Sequence, residues 1–265
     1  MGCMARIDRA LENGVTLPLR QNSRYVLMSD CHRGTGTAYD NFLKNQHIYF
    51  AALEYYFCRN FYYIELGDGE ELWENRSMKR IMDCHSNVYW KFECYEKEKR
   101  FCKIYGNHDM ELKKNLPESV ILENCKGGRD IYMIHGHQAD FFNSVCWRLS
   151  RFLVRYLWKP LERFGVNDPT SAAKNYKKTK RYEHCMVRAA EERNVYLVSG
   201  HSHRPRLSED GGLYVNTGSC VHPRCITAIE IENMQMRLVK WSVETREDRT
   251  LYVEREILAG PVDIV

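Results

Sequence analysis

The sequence predicts a mixed α/β (α+β) fold, a four-layer β-sandwich with helices outside both sheets. Short apolar runs alternate with segments of helical pattern along most of the chain, and the C-terminal part is rich in β-branched and aromatic residues. Five polar clusters that contain His or Asp each follow a short apolar run. Active-site loops have this pattern where they leave the end of a buried strand, so the clusters indicate a functional edge of the sandwich.

Strands are predicted, in chain order, at 25–29, 61–66, 101–105, 120–122, 131–134, 195–199, 213–216, 225–231, 236–242 and 251–256. Apolar and aromatic residues at helical spacing predict a helix over 41–60 and another within 77–99. Because strand, helix and strand follow one another over 25–66, we expect a parallel crossover unit there. Asn233 is expected to supply the turn between two C-terminal strands.

We expect a single domain over 1–265, because the apolar fraction of 44% is ordinary for a globular protein of this length. The stretch 138–193 has a largely helical pattern but is long for a simple crossover, so we interpret it as an inserted helical cap. A break is expected at 165–169, with Thr170 or Ser171 as the N-cap of the next helix.

The net charge of +4 is too small to indicate nucleic-acid binding, and no nucleic-acid partner is expected. Basic residues are nevertheless concentrated within 148–188. This patch is either a solvated helix face or a surface that meets an anionic substrate, and it leaves peripheral membrane contact open. No apolar run approaches the roughly 20 residues of a transmembrane helix, and no secretory pattern precedes the first strand, so a cytoplasmic location is expected.

Eleven cysteines scattered along the chain do not form the pattern of a secreted disulfide framework, so reduced and mostly buried thiols are expected. No two of them have the Cys-x-x-Cys spacing of a thiolate zinc site, and any metal should therefore be held by N and O ligands. Cys31 should point into the core, because alternate side chains of an extended strand end face opposite ways.

The clusters carry residue types that bind divalent metals. Asp30 and His32 are one residue apart, so on an extended backbone both side chains face the same way and reach one cation. Asp68 follows a strand and Gly67, and its carboxylate can bridge two ions. Neutral oxygen and imidazole ligands are available from the later clusters, which contain Asn107, His135, His201 and His203.

Five motifs occur in a fixed order along the chain: Asp30-x-His32, Gly67-Asp68-x-x-Glu71, Gly106-Asn107-His108-Asp109, His135-Gly136-His137 and Gly200-His201-x-His203. This series resembles the motifs of the calcineurin-like metallophosphoesterase superfamily. The resemblance implies two divalent ions, Mn²⁺, Fe²⁺ or Zn²⁺. One ion would be held by Asp30, His32, Asp68 and His203, and the other by Asp68, Asn107, His135 and His201. It further implies hydrolysis of a small-molecule phosphate ester or pyrophosphate by a hydroxide shared between the metals.

His108 follows a ligand in sequence but is not itself a ligand of the motif, so it is the candidate for protonating the leaving oxygen, with Asp109 or Glu71 fixing its ring. Alternatively, His108 only stabilises the phosphoryl group electrostatically. Substrate contacts are expected from Arg33, Asn107, His137 and Arg204. The two arginines could equally be surface charges in loops, and His137 could instead be a partner of the metal-ligand residues.

The sequence leaves narrower functions open. Two segments resemble those of the UDP-2,3-diacylglucosamine hydrolases, which cleave a pyrophosphate. They are Gly67-Asp68-x-x-Glu71-x-Trp73 and Gly200-His201-Ser202-His203-Arg204-Pro205. A serine/threonine-type phosphoprotein phosphatase is another alternative within the superfamily. The alternative that is not an enzyme is a scaffold that binds a partner through the basic cap. His47, His85, His184 and His222 receive no catalytic role, and 216–219 is expected to form a turn near the site.

Overall fold

The computed structural model describes residues 2–158 and 176–264 and has two β-sheets. The strands are β1 Gly14–Leu19, β2 Arg24–Met28, β3 Tyr62–Leu66, β4 Phe101–Ile104, β5 Ser119–Asn124, β6 Ile131–Ile134, β7 Tyr196–Ser199, β8 Tyr214–Asn216, β9 Cys225–Glu232, β10 Gln235–Thr245 and β11 Leu251–Asp263. The α-helices are α1 Cys3–Glu12, α2 Gln46–Cys58, α3 Met78–Cys84, α4 Ser86–Lys97, α5 Phe141–Ser144, α6 Trp147–Leu153 and α7 Tyr176–Arg193.

One sheet has five strands in the order β1-β5-β6-β7-β8, and the other has six in the order β11-β10-β9-β2-β3-β4. Strands β2, β3 and β4 are parallel neighbours, and α2 lies between β2 and β3 in sequence, which confirms the predicted crossover unit. Strands β9 and β10 form an antiparallel hairpin. Asn233 and Met234 of its turn both have positive φ, as a two-residue type I′ turn requires, so the predicted turn is confirmed.

The sheets pack face to face with a helical layer outside each one. Leu27 and Ile64 of the six-stranded sheet share a buried cluster with Leu122 and Met133 of the five-stranded sheet. A second cluster packs α2 and α4 on the outer face of the six-stranded sheet. A third joins α1 and α7 to the outer face of the five-stranded sheet. The predicted four-layer sandwich is therefore confirmed.

Two N-terminal elements were not predicted. Strand β1 contains Pro18, which removes a backbone donor, and it lies at the edge of its sheet with β5 as its neighbour. Helix α1 precedes it and buries Ile7 and Ala10 against the five-stranded sheet. The helix expected within 77–99 is divided into α3 and α4 at His85, whose buried ring lies 3.0 Å from the Asp40 carboxylate.

The segment predicted as a cap is only partly described. Short helices α5 and α6 follow β6, and Phe142, Leu149 and Phe152 of these helices are exposed. The predicted break and the Thr170 or Ser171 N-cap lie outside the described residues. The C-terminal half of α7, which includes Met186, packs on the five-stranded sheet as part of its helical layer. Among the described helices, none combines the length and apolar character needed to cross a bilayer.

The prediction that the thiols are mostly buried is wrong, and the prediction that they are reduced is wrong for Cys3 and Cys185. Cys3 of α1 and Cys185 of α7 form a disulfide across 182 residues of sequence. Of the nine free cysteines, only Cys31 and Cys220 are buried. The pairing depends on α1 packing beside α7, a contact that cysteine spacing cannot reveal. Cys31 lies in the core between the six-stranded sheet and α2, as predicted.

Candidate metal centre

The polar clusters lie in loops that follow β2, β3, β4, β6 and β7. Asp30, Asp68 and Asn107 follow strands of the six-stranded sheet, whereas His135 and His201 follow strands of the five-stranded sheet. The carboxyl ends of parallel neighbouring strands meet at one edge of a sheet. Both sheets therefore deliver ligand-type side chains to a common edge of the sandwich.

Asp30, His32 and His203 form the first group of candidate ligands, with one donor atom of each within 4.8 Å of the others. Nε2 of His203 lies 3.1 Å from Oδ1 of Asp30 and 3.4 Å from Nε2 of His32. Nε2 of His32 lies 3.8 Å from Oδ2 of Asp68. The structure thus brings together the four residues expected at one ion.

Asp68, His135 and His201 form the second group, again with donor atoms within 4.8 Å of one another. Nε2 of His135 lies 3.2 Å from Oδ2 of Asp68 and 3.2 Å from Oδ1 of Asn107. Oδ2 of Asp68 is therefore near candidate ligand nitrogens of both groups. This is the position that a bridging carboxylate would occupy.

The donor atoms fit divalent cations. Atoms that bind one cation at 2.0–2.2 Å lie about 3 to 3.6 Å apart, which is the range of the shortest separations here. Oδ1 of Asp30 and Nε2 of His201 are buried and have no hydrogen-bond partner within the described part of the chain. A buried polar atom without a partner costs about 1–3 kcal/mol, and one cation at each group would satisfy these two atoms.

Asp30 and Asp68 supply negative charge to the site. Burial alone would raise the pKa of Asp30, but His203 and His135 hold it well below its usual value. Burial likewise opposes ionisation of Asp68, yet His135 and His108 keep its pKa well below the usual range. Both carboxylates are therefore ionised at neutral pH, as metal coordination requires.

The backbone at the site differs from the expected extended conformation. Five candidate ligands have left-handed φ values of 48° to 64°, namely Asp30, His32, Asp68, His201 and His203. Their loops pair with each other rather than continuing the strands, because the amides of Asp30 and His32 donate to the carbonyls of Gly67 and Asp68. Left-handed conformations of non-glycine residues cost of order 1–3 kcal/mol each and cluster at functional sites.

Residues outside the two groups orient the candidate ligands. Nδ1 of His135 donates to the carbonyl of Leu66 at 2.7 Å, which leaves Nε2 free to bind a cation. The side chain of Asn216 donates to the carbonyl of Gly200 at 2.7 Å, and the hydroxyl of Ser219 donates to the carbonyl of Asp30 at 3.2 Å. The segment 216–219 thus lies at the site, as predicted.

The calcineurin-like phosphoesterase superfamily domain matches residues 82–232, more than half of the chain. The chain belongs to the calcineurin-like phosphoesterase superfamily. The matched range includes the motifs from Asn107 to His203, and the geometry adds Asp30, His32 and Asp68 from outside it. No curated relative matches the chain.

Solved structures with similar topology have low sequence identity to this superfamily member. Vps29 from Chaetomium thermophilum is 12% identical, with 91% of this chain and 97% of that chain covered and a TM-score of 0.43. Vacuolar Protein Sorting 29 from Cryptosporidium parvum is 14% identical, with 90% and 98% covered and a TM-score of 0.40. A point mutant of a cold-active protein tyrosine phosphatase is 14% identical, with 93% and 82% covered and a TM-score of 0.42.

In this superfamily member, His108 lies beside the two groups of candidate ligands and has a carboxylate partner. Its Nδ1 donates to Glu71 at 2.8 Å, and its ring stacks on Trp73 at a centroid distance of 4.4 Å. Burial lowers the pKa of His108, but Glu71 and Asp68 outweigh this effect and raise it to about 10. Glu71 also accepts from Nδ1 of His32 at 2.9 Å, so one carboxylate fixes two imidazoles.

Asp109, the other predicted partner of His108, has a different position. It is fully buried, and its two oxygens accept from the backbone amides of Gly69 and Gly106. Burial raises the pKa of Asp109 to about 7, a shift that Lys103 reduces and Asp68 reinforces. Asp109 therefore holds together the loops that carry Asp68 and His108, and Glu71 is the residue that orients the His108 ring.

Arg33 does not face the site, which contradicts its predicted contact with substrate. The side chain has no exposed surface, and its guanidinium donates to Glu65 at 2.7 and 2.8 Å and to Glu70 at 2.9 Å. Lys103 lies against the same two carboxylates. The position of Arg33 next to His32 in sequence did not predict where its side chain lies. The backbone directs that side chain into the core, behind the loops that carry the candidate ligands.

The other predicted substrate residues lie near the two groups of candidate ligands. Asn107 is buried beside His135, and His137 is buried with its ring centroid 5.6 Å from that of His135. Arg204 follows His203 and is partly buried. Asp140 was not predicted, although its Oδ2 lies 4.0 Å from Nε2 of His201. Its only sequence signal was that of a helix N-cap, which it also is.

Proposed function

We propose that the protein is a dinuclear-metal-dependent phosphoesterase that hydrolyses a phosphate ester or pyrophosphate bond. The proposal is carried by one observation, the position of Asp68 Oδ2. This atom lies near candidate ligand nitrogens of two groups, and each group contains a buried atom that has no hydrogen-bond partner among the described residues. Asp30, His32, Asp68 and His203 would hold one ion, and Asp68, Asn107, His135 and His201 the other.

Two divalent ions held by these residues would supply a nucleophile at neutral pH and would stabilise the charge of the phosphoryl group. The chain itself must position the substrate and deliver a proton to the leaving oxygen. His108 is suited to that role because Glu71 favours its protonated form and Trp73 fixes the plane of its ring. Nδ1 is held by Glu71, which leaves Nε2 of His108 as the proton donor.

The alternative role for His108 is electrostatic stabilisation of the phosphoryl group without proton transfer. The two roles differ in their dependence on the leaving group. A proton donor matters most when the leaving oxygen is strongly basic, whereas an electrostatic contact affects good and poor leaving groups alike. Phenyl phosphate and 4-nitrophenyl phosphate therefore form a matched substrate pair.

The first test measures metal content and hydrolysis in the same preparation. After chelation and dialysis against Mn²⁺, elemental analysis should find two ions per chain, and the protein should hydrolyse 4-nitrophenyl phosphate or bis(4-nitrophenyl) phosphate. Asp68→Asn should lose both properties, because its carboxylate is shared by both groups. A protein that binds two ions but is inert with every divalent metal and ester would refute the catalytic proposal.

The second test isolates His108. We expect His108→Ala to reduce turnover of phenyl phosphate by roughly 10²–10⁴-fold, with a smaller loss for 4-nitrophenyl phosphate and unchanged metal content. His47→Ala is the matched control, because His47 is exposed and belongs to none of the candidate ligand groups. Equal losses for both esters would favour the electrostatic role, and a parallel loss of metal would make His108 a structural residue.

A further inference from the structure

A cavity of about 300 Å³ lies beside the metal centre, under the loop that follows β6. Three cationic side chains line it, Arg6, Arg9 and Lys113, and the aromatic rings of Tyr105 and Trp147 form part of its wall. This volume is sufficient for part of a small organic molecule. Neither the candidate metal ligands nor His108 lines this cavity, so its residues are not accounted for by the proposed hydrolysis itself.

His137 connects the cavity to the metal centre. It lines the cavity, is only 2% exposed, and lies 5.6 Å from His135 between ring centroids. Its Nδ1 is buried and has no hydrogen-bond partner among the described residues. Leaving such an atom unsatisfied costs about 1–3 kcal/mol, so the site favours a ligand that supplies the missing hydrogen bond.

The cavity is positively charged. Glu118 is the carboxylate among its lining residues, and it accepts from the Gln138 amide at 3.1 Å. Arg6 is fixed in place, because it donates to the carbonyl of Gln138 at 2.7 Å. Arg9 and Lys113 are exposed; Arg9 extends from α1, and Lys113 extends from the 3₁₀ helix Met110–Lys114 that follows β4. Because Arg6 also interacts with Asp140, the exposed cations Arg9 and Lys113 are the side chains that favour an anionic ligand.

We propose that this cavity binds a second phosphoryl group of the substrate while the first is held at the metal centre. The inference rests on the proposed phosphoesterase function and narrows its substrate class to organic phosphates with two separate phosphoryl groups. His137 donates to the second phosphoryl group from the cavity floor, and Arg9 and Lys113 neutralise it from the mouth. The adjacent rings contact the organic part of the molecule.

Binding and hydrolysis are measured with two probes that differ by one phosphoryl group, adenosine 5′-monophosphate and adenosine 3′,5′-bisphosphate. We expect the Mn²⁺-loaded protein to bind the bisphosphate at least tenfold more tightly in calorimetry, and to hydrolyse it with a correspondingly lower KM. The double variant Arg9→Ala/Lys113→Ala should lose this preference and retain its turnover of 4-nitrophenyl phosphate. Lys114→Ala is the matched control, because Lys114 is exposed next to Lys113 but does not line the cavity.

The outcomes separate the two proposals. Hydrolysis of 4-nitrophenyl phosphate together with equal affinity for both adenosine probes would overturn the cavity proposal and leave the phosphoesterase function intact. A preference for the bisphosphate that the double variant loses, in a protein without hydrolytic activity, would support the cavity and overturn the function. A preference that survives in the double variant would also overturn the cavity proposal.

Discussion

Replacing Arg33 by Met should destabilise the protein strongly without affecting substrate binding. The guanidinium is fully buried and is held by Glu65 and Glu70, which have no exposed surface either. Removing it leaves two buried carboxylates with Lys103 as their remaining cation among the described residues. Breaking one side of a buried ion pair typically costs about 3–5 kcal/mol, and we expect a loss of unfolding free energy of that size. Urea denaturation of the two proteins measures it.

The matched control is Arg24→Met. Arg24 and Glu232 form an ion pair of the same 2.7 Å length, but their side chains are 44% and 28% exposed. Exposed pairs contribute roughly 0.2–1 kcal/mol, so the control should differ little from the wild type. If both variants lose the same small amount, the reasoning from burial is wrong. A raised KM for 4-nitrophenyl phosphate in folded Arg33→Met would instead restore the substrate contact predicted from the sequence.

Three further outcomes follow from the geometry. In the metal-free protein, Glu71→Gln should lower the pKa of His108 from about 10 towards its ordinary value of 6.5, because a neutral amide no longer stabilises the imidazolium. NMR titration of the His108 ring measures this pKa, and an unchanged value would contradict the expectation. Gly200→Ala should bind one ion fewer per chain in elemental analysis, because the added Cβ would overlap the side chains of Ser29 and Asp30. The control variant Gly2→Ala should bind both ions, because Gly2 has open space around it. Reduction of the disulfide between α1 and α7 should lower the unfolding free energy by about 2–5 kcal/mol, since it closes a loop of 182 residues, and an unshifted thermal midpoint in dithiothreitol would show that the cross-link is not stabilising.

The sequence predicted the site better than its details. Clusters at the ends of apolar runs were sufficient to predict where the candidate ligands lie, because a parallel strand must deliver its next residues to the sheet edge. The left-handed backbone of Asp30 and His32 was not predictable from spacing, because an extended and a turned Asp-x-His have the same sequence. Both conformations bring the two side chains to one place, so an incorrect premise led to a correct grouping.

The position of Arg33 was predicted wrongly, and β1 was not predicted, for a different reason. The position of Arg33 depends on Glu65 and Glu70, which are 32 and 37 residues away and could not be recognised as its partners from their own neighbourhoods. Pro18 disguised β1, because proline argues against a strand unless the strand lies at a sheet edge. Both outcomes depend on which elements become neighbours, information that local patterns do not contain.

Each candidate ion draws its ligands from both halves of the sandwich, and this arrangement has a mechanical consequence. Asp68 extends from one sheet, whereas His135 and His201 extend from the other. Cations bound there would cross-link the two sheets at this rim of the sandwich, where the candidate ligands lie. Stripping them with a chelator should speed amide hydrogen exchange along that rim while leaving the opposite ends of the strands protected.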